Sequence, residues 1–329
     1  MSRSIQISRA GGPEVLEFVE KPIPAPGPNE VRMQVKAIGI NRAEAMWRID
    51  DYIEPVKFPA PMGYEAAGVV DAVGAGVKGI AVGDDVNIVP SFSMNQYGTY
   101  GEVIVMPDHA VIPHPKSLSH EQAASVWMMF MTAYGALVED ARVGPGDVVV
   151  IPAASSSVGL AAVQIASLAG ATTIALTRTS AKRARLIELG ATHVIATEEA
   201  DLVEEIRRIT EGRGVRVVFD PVGGPTFAKL VSLLSFRGVA FIYGALSPQD
   251  TTLPVLDMIS KMTTVKAHNI WGTSGDATRR QAAVDYILAG LDSGRLKPVI
   301  DRSFKFDEMR DVHRYLEGNG QFGKIVVTV

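Results

Sequence analysis

The chain has 329 residues, enough for two domains of ordinary size, and its 47% hydrophobic and 21% charged content is that of an ordinary globular protein. Lys plus Arg is 32 and Asp plus Glu is 36, a net charge of −4 with no long run of either sign, so nothing points to nucleic acid as a partner. There is no cysteine, which excludes disulfides, thiolate nucleophiles and cysteine-ligated zinc. No apolar run is long enough to span a bilayer and the N-terminal residues carry no apolar leader, so a cytoplasmic protein without a membrane partner is expected.

From residue 1 to about 120 the sequence reads as short strands broken by Gly and Pro clusters. VRMQVKAIGI, AAGVVDAVG, DDVNIVP and GEVIVMP are apolar or alternating runs, the pattern of a small antiparallel, barrel-like domain. Ser119 with Gln122 forms a capping box, which predicts a helix carrying Ala123 to Thr132.

After Gly146 strands and helices alternate. Val148 to Ile151 is a continuous apolar run suited to a central parallel strand buried on both faces. The turn from Pro152 to Ser157 opens a helix over 157–169, and strands follow at 172–176, 193–195, 215–219, 238–242 and 264–268. Helices are expected over 180–189, capped by Ser180, over 201–211, and from Pro225. This is an α/β domain with a six-stranded, doubly wound parallel sheet. From Asp276 a long helix leads towards FGKIVVTV, a strand placed to rejoin the first domain. The expected division is 1–120, completed by 270–329, and 121–269.

The turn after the first parallel strand carries Ala153, Ser156 and Gly159 at the offsets of the G-x-G-x-x-G dinucleotide fingerprint. A helix begins with N–H groups that lack internal acceptors, and small residues let a pyrophosphate approach them. Ser156, Ser157, Val158 and Gly159 are therefore candidate cofactor-binding residues, with Ser155 or Ser156 as an N-cap the plainer reading. About 20 residues further on, an NAD-specific fold places an acidic residue on the ribose 2′-hydroxyl. No Asp or Glu occurs between Gly159 and Arg185; Arg178, Lys182 and Arg183 stand there instead. Cations in a first helical turn are unfavourable by roughly 0.3–1 kcal/mol each unless an anion sits among them. The 2′-phosphate of NADPH is the expected anion, against the alternative of a solvated basic face.

Gly39-Ile40-Asn41-Arg42, Gly63-Tyr64-Glu65-Ala66-Ala67-Gly68, Gly98-Thr99-Tyr100-Gly101-Glu102, Thr132-Ala133-Tyr134, Asp220-Pro221-Val222-Gly223 and Phe322-Gly323-Lys324-Ile325-Val326 occur in an order and spacing that resemble the zinc-independent quinone oxidoreductase, zeta-crystallin-like branch of the medium-chain dehydrogenase/reductase superfamily, over essentially the full length. The resemblance implies a GroES-like β-barrel domain and a Rossmann domain, with NADPH as cofactor and a homodimer as the assembly. It implies nicotinamide-side contacts at Asn41 and Thr132, a loop over the cofactor from Gly244 to Ser247, a C-terminal contact at Phe322, Gly323 and Lys324, and a 2′-phosphate ligand in Lys182. Zinc-dependent relatives place a histidine where Tyr64 stands and add cysteines that this chain lacks, so no metal is expected. The family's paired glycines are Ser156 and Ser157 here, and a tyrosine often found near the adenosine is Thr197.

The implied chemistry is hydride transfer to a quinone or another α,β-unsaturated carbonyl, with a hydrogen bond to the acceptor oxygen from Asn41, Tyr52 or Tyr64. Tyr52 is the candidate proton donor, with solvent as the alternative. Two other readings stay open: an enoyl-thioester reductase, suggested by the serine-rich turn, and a non-catalytic, crystallin-like NADPH-binding protein. By residue type alone, Asn41 also reads as a turn residue of positive φ, Glu65 as the partner of a buried arginine, and Met46, Trp47 and Met128 to Met131 as core.

Overall fold

The computed structural model describes residues 1–329. The chain forms two compact units: residues 1–128, 274–282 and 298–329 make the first, and residues 129–273 and 283–297 the second.

The first unit is built mainly on antiparallel pairing, with Ile300–Lys305 and Lys324–Thr328 its one parallel pair. Its larger sheet has seven strands and runs in the order Ile300–Lys305, Lys324–Thr328, Glu30–Ile40, Glu65–Val73, Asp85–Ile88 and Val111–Pro113, with Val103–Pro107 also paired to Glu30–Ile40. A smaller sheet joins Leu16–Lys21, Ser2–Ile7 and Ala60–Pro61. The C-terminal strand does rejoin this unit, with Ile325 to Thr328 lying opposite Ile40 to Ala37. Apolar residues alternate with polar ones in the first half of Glu30–Ile40 and are buried continuously in the second, where a short helix, His120–Ala123, covers the strand. The contact is close enough that Ala37, Ala67, Ala123, Ala124 and Val326 form one tight alanine-rich core. A Cβ on Gly39 would run into the Ala124 carbonyl. The single helix expected after Ser119 is two: His120–Ala123, capped by Ser119 and Gln122 as expected, and Trp127–Tyr134, which continues as a π-helical turn over Gly135–Asp140.

The second unit is the predicted parallel sheet. Its six strands run in the order His193–Ala196, Thr172–Thr177, Val148–Ile151, Val215–Asp220, Leu234–Ile242 and Thr264–Ala267, all parallel. The strand order reverses beside Val148–Ile151, and such a switch point leaves a crevice at the carboxyl ends of the strands. Val150, Ile174, Val218, Phe227 and Leu230 pack in one core beneath it. The helix Ser157–Leu168 crosses the sheet closely, because a Cβ on Gly159 would lie 2.6 Å from the Ala153 carbonyl oxygen.

Local boundaries differ in instructive ways. Ser180 does not cap an α-helix; Thr179 precedes a 3₁₀ turn over Ser180–Lys182, and the α-helix covers only Arg183–Glu188. Residues 283–297 count with the second unit rather than the first. The Gln164 side chain explains part of this, since it donates to the Lys297 carbonyl and accepts from the Lys297 N–H. No helix is long and apolar enough to cross a membrane.

The Gly39 contact yields a test. Gly39→Ala should destabilise the protein by roughly 1–3 kcal/mol, the usual cost of overpacking, because the obstacle is backbone and cannot swing aside. Denaturant titration checks it, and an unchanged midpoint would mean the short helix yields freely.

Candidate functional site

The turn after Val148–Ile151 is tight: Ala153 has φ +47° and Ser156 N–H donates to its carbonyl at 2.9 Å. Ser156, not Ser155, is the N-cap, its hydroxyl accepting from Gly159 N at 3.0 Å. The Ser157 and Val158 N–H groups stand at the head of the 12-residue helix, where backbone donors have no intrahelical acceptor. Ser155 is used differently, taking a hydrogen bond from Lys182 Nζ at 3.1 Å. A lysine 27 residues away in sequence is thus carried to the serine-rich turn, while Arg178 and Arg183 are exposed on the segments flanking it. One neighbour of this cluster had no signal in the sequence. Glu199, beyond the adjacent strand, accepts from Ser180 N at 2.8 Å and Ser180 Oγ at 3.2 Å.

Two further segments meet at the carboxyl ends of the neighbouring strands. The loop at Gly244 to Ser247 lies on the turn that follows Val215–Asp220: Ser247 N donates to the Val222 carbonyl at 2.8 Å and Leu246 N to that of Pro221 at 3.2 Å. Any side chain on Gly224 would strike the Ser247 hydroxyl, and one on Gly244 would lie 2.6 Å from the Pro221 oxygen. Asp220 holds this turn through one carboxylate oxygen, which accepts from Val222 N and Gly223 N. Its other oxygen is buried without a hydrogen-bond partner, as is the Tyr243 hydroxyl. Burial pushes the Asp220 carboxyl up to about 6, against the pull of the two N–H donors. Thr132 is buried, and its carbonyl lies 2.9 Å from His268 Nε2.

The first unit holds a second polar centre. Asn41 has φ −130° and is the N-cap of Arg42–Arg48, so it is no positive-φ turn residue. Its Oδ1 accepts from Lys324 Nζ at 2.5 Å, while Nδ2 donates to Glu44 Oε1 at 3.1 Å and to the Gly39 carbonyl at 3.3 Å. Both amide hydrogens thus have acceptors within the first unit. Lys324 also donates to Glu65 Oε2 at 2.5 Å, both side chains having no exposure, so the partner of Glu65 is a lysine and not an arginine. Glu65 Oε1 meanwhile accepts from Trp127 N at 2.6 Å and Met128 N at 3.2 Å. The Lys324 ammonium is fully buried in this ion pair. Phe322 is buried, and Gly323 has φ +108° with no room for a Cβ beside the Val299 carbonyl. Glu44 accepts from Asn41 N and from Tyr64 N, at 2.5 and 3.2 Å; burial drives its carboxyl up to about 7 although Lys324 pulls it down.

Tyr64, pinned through its backbone by Glu44, is fully buried, and its hydroxyl interacts with the Tyr52 phenol. Its ring sits between Tyr52, at 6.3 Å, and Phe92, at 5.6 Å; Tyr52 in turn meets Trp47 edge-on at 6.5 Å. The Tyr52 loop is latched by Glu54, which accepts from Ser93 Oγ at 2.7 Å and Asn95 Nδ2 at 2.8 Å. Burial pushes the Tyr52 phenol up to about 12 and raises Tyr64 further, the carboxylates of Glu44 and Glu54 adding to it. Both remain protonated donors throughout the ordinary pH range, in an aromatic setting. Trp47 and Met129 to Met131 are core, as their residue types suggested. No group of three or more His, Asp or Glu side chains is arranged to hold a metal ion.

Residues 27–116 match the family model of the alcohol dehydrogenase GroES-like domain, and residues 157–287 that of the zinc-binding dehydrogenases. Quinone oxidoreductase 1 of Escherichia coli is 37% identical over 245 residues, 74% of this chain and 73% of that one. The solved E. coli quinone oxidoreductase complexed with NADPH superposes with a TM-score of 0.91 at 30% identity, covering 99% of this chain and 100% of its own. An NAD-dependent alcohol dehydrogenase also superposes with a TM-score of 0.91, at 34% identity and 99% coverage of both chains.

The buried ion pair predicts a stability effect of specific form. Lys324→Met should cost about 3–5 kcal/mol by leaving Glu65 charged and unpaired in the interior, and Lys324→Met with Glu65→Gln should recover a large part of it. Urea unfolding of the two variants checks this, and a loss under about 1 kcal/mol for the single substitution would contradict it.

Proposed function

Because the chain belongs to the quinone oxidoreductase branch of the medium-chain dehydrogenase/reductase superfamily, with a GroES-like domain and a Rossmann-type parallel sheet, we propose that it is an NADPH-dependent oxidoreductase that reduces a quinone or another α,β-unsaturated carbonyl without a metal. The observation that carries the cofactor reading is the hydrogen bond from Lys182 to Ser155, which sets a cation beside the N-terminus of the Ser157–Leu168 helix. The residues fit such a group: Ala153 supplies the tight turn, Gly159 the close helix packing, and Ser156 leaves the Ser157 and Val158 N–H groups for phosphate oxygens. The relative solved with NADPH supports the choice. When bound, the nicotinamide supplies the hydride.

The protein's own work at the acceptor falls to tyrosine. Tyr52 and Tyr64 stay protonated, and their hydroxyls are the donors available to hold the oxygen on which negative charge grows. Asn41 and Lys324 act beneath them, through the Glu44 contact that fixes the Tyr64 backbone. The aromatic rings of Trp47, Tyr52, Tyr64 and Phe92 favour a flat, conjugated acceptor and limit water.

We further propose a homodimer. The strand Thr264–Ala267 closes one end of the parallel sheet, and the preceding helix Val255–Lys261 exposes Val255, Leu256 and Ile259, with Leu253 and Met262 flanking it. Leu256 is 82% and Ile259 68% exposed. An open edge beside an apolar patch is completed by a two-fold copy of itself.

Lys182→Ala should weaken NADPH binding about tenfold or more and NADH binding little, since only NADPH carries a 2′-phosphate; equal losses in a fluorescence titration would make Lys182 purely structural. Tyr52→Phe should lower kcat for an enone, whose carbon needs a proton, by about 10²-fold or more and for a quinone much less. Unchanged rates with both acceptors would remove Tyr52 as donor, and activity confined to enoyl thioesters would replace the quinone and enone acceptor class. For the assembly, Leu256→Glu with Ile259→Glu should give a monomer by light scattering where the native protein is a dimer; a native monomer at micromolar concentration contradicts the interface.

A further inference from the structure

The basic cluster at the end of Thr172–Thr177 already holds an anion of the protein's own. Strands Thr172–Thr177 and His193–Ala196 pair in parallel up to Thr177 opposite Ala196, and the pairing continues past both ends. Thr197 N donates to the Thr177 carbonyl at 2.8 Å and Glu198 N to that of Arg178 at 3.0 Å. The chain then turns back, with Glu199 N and Ala200 N both bonded to the Ala196 carbonyl at 3.0 Å. This zipped pair of loops aims the Glu199 carboxylate at Ser180, where it takes both the backbone N–H and the hydroxyl. Those donors hold the Glu199 carboxyl below its ordinary range, and the Arg183 guanidinium adds to the effect.

We propose that Glu199 is a specificity-determining residue of the nucleotide site, which opposes the 2′-phosphate of NADPH and so keeps NADH in competition as a cofactor. The role deepens the proposed nucleotide site and rests on it. Where an acid selects NAD, it stands at the end of the second parallel strand and hydrogen-bonds the ribose 2′-hydroxyl. In this chain that strand ends in Thr177-Arg178-Thr179-Ser180, and the acid reaches the same turn from the end of the neighbouring strand. Lys182, Arg178 and Arg183 attract a 2′-phosphate; Glu199 repels it and occupies the donors of Ser180. A 2′-hydroxyl is neutral, so NADH escapes the repulsion and can donate to the carboxylate.

Glu199 is exposed and away from the core, so Glu199→Gln keeps the loop and removes only the charge. Dissociation constants for NADPH and NADH, measured by nicotinamide fluorescence, should show the variant binding NADPH about three- to fivefold more tightly, the size of one exposed charge interaction. NADH should change by less than about twofold, and the NADPH gain should shrink at about 0.5 M salt. If both dinucleotides bind the native protein and the substitution shifts them equally, or shifts neither, the specificity role is wrong while the nucleotide site stands. If the native protein binds neither, the nucleotide site itself is wrong and this inference goes with it.

Discussion

A single ammonium, that of Lys324, governs the first unit. It lies on the last strand, bridges to Glu65 on the strand two places along the sheet, and holds the amide of Asn41, where the longest strand gives way to a helix. Glu65 then uses its remaining oxygen to receive the first N–H groups of the helix at Trp127, and Asn41 passes the constraint to Glu44 and so to the backbone of Tyr64. Two carboxylates around one buried cation are costly to desolvate, and the balance is met only because nearly every lone pair and hydrogen in the group has a partner. Geometry at Tyr64 is therefore inherited from residues far away in sequence.

The contrast with Tyr64 itself is informative. Beside that bonded centre the Tyr64 hydroxyl is buried against the Tyr52 phenol, and it does not ionise at ordinary pH. A buried phenol that stays protonated keeps its hydrogen available for donation, and any buried donor left without an acceptor costs about 1–3 kcal/mol. Asp220 and Tyr243 form a comparable pair in the second unit, where the carboxylate anchors the turn under the Gly244 to Ser247 loop.

At the turn after Val148–Ile151 the backbone geometry does not depend on the full glycine pattern. Two of the three fingerprint positions are Ala153 and Ser156, yet the backbone turn and the helix start form as they would with glycine. Ala153 accepts a positive φ, and Ser156 caps the helix with its own side chain. Only at Gly159 does steric contact with the Ala153 carbonyl demand the missing Cβ. Fingerprint glycines can be lost where a serine solves the same backbone problem; the packing glycine cannot.

The six parallel strands, the antiparallel first unit and the basic turn at Arg178, Lys182 and Arg183 were legible in the sequence, because periodicity and punctuation report burial, and burial of a strand or a helix face is a local pattern. Boundaries such as the 3₁₀ turn at Ser180 and the break before Trp127 were not legible, since they depend on which side chains reach the helix ends. The contacts among Asn41, Glu65 and Lys324 were also out of reach, since one buried ammonium bonds residues 259 and 283 positions away in sequence. Glu199 shows the same limit from the other side, because no Asp or Glu follows the second strand and the acid comes from the loop after the third. The chain by itself determined its elements, its lack of cysteine ligands and its family. Only tertiary structure decided which charges meet, because electrostatic partners are set by distance in space, and distant segments acquire that distance only when the sheets are paired.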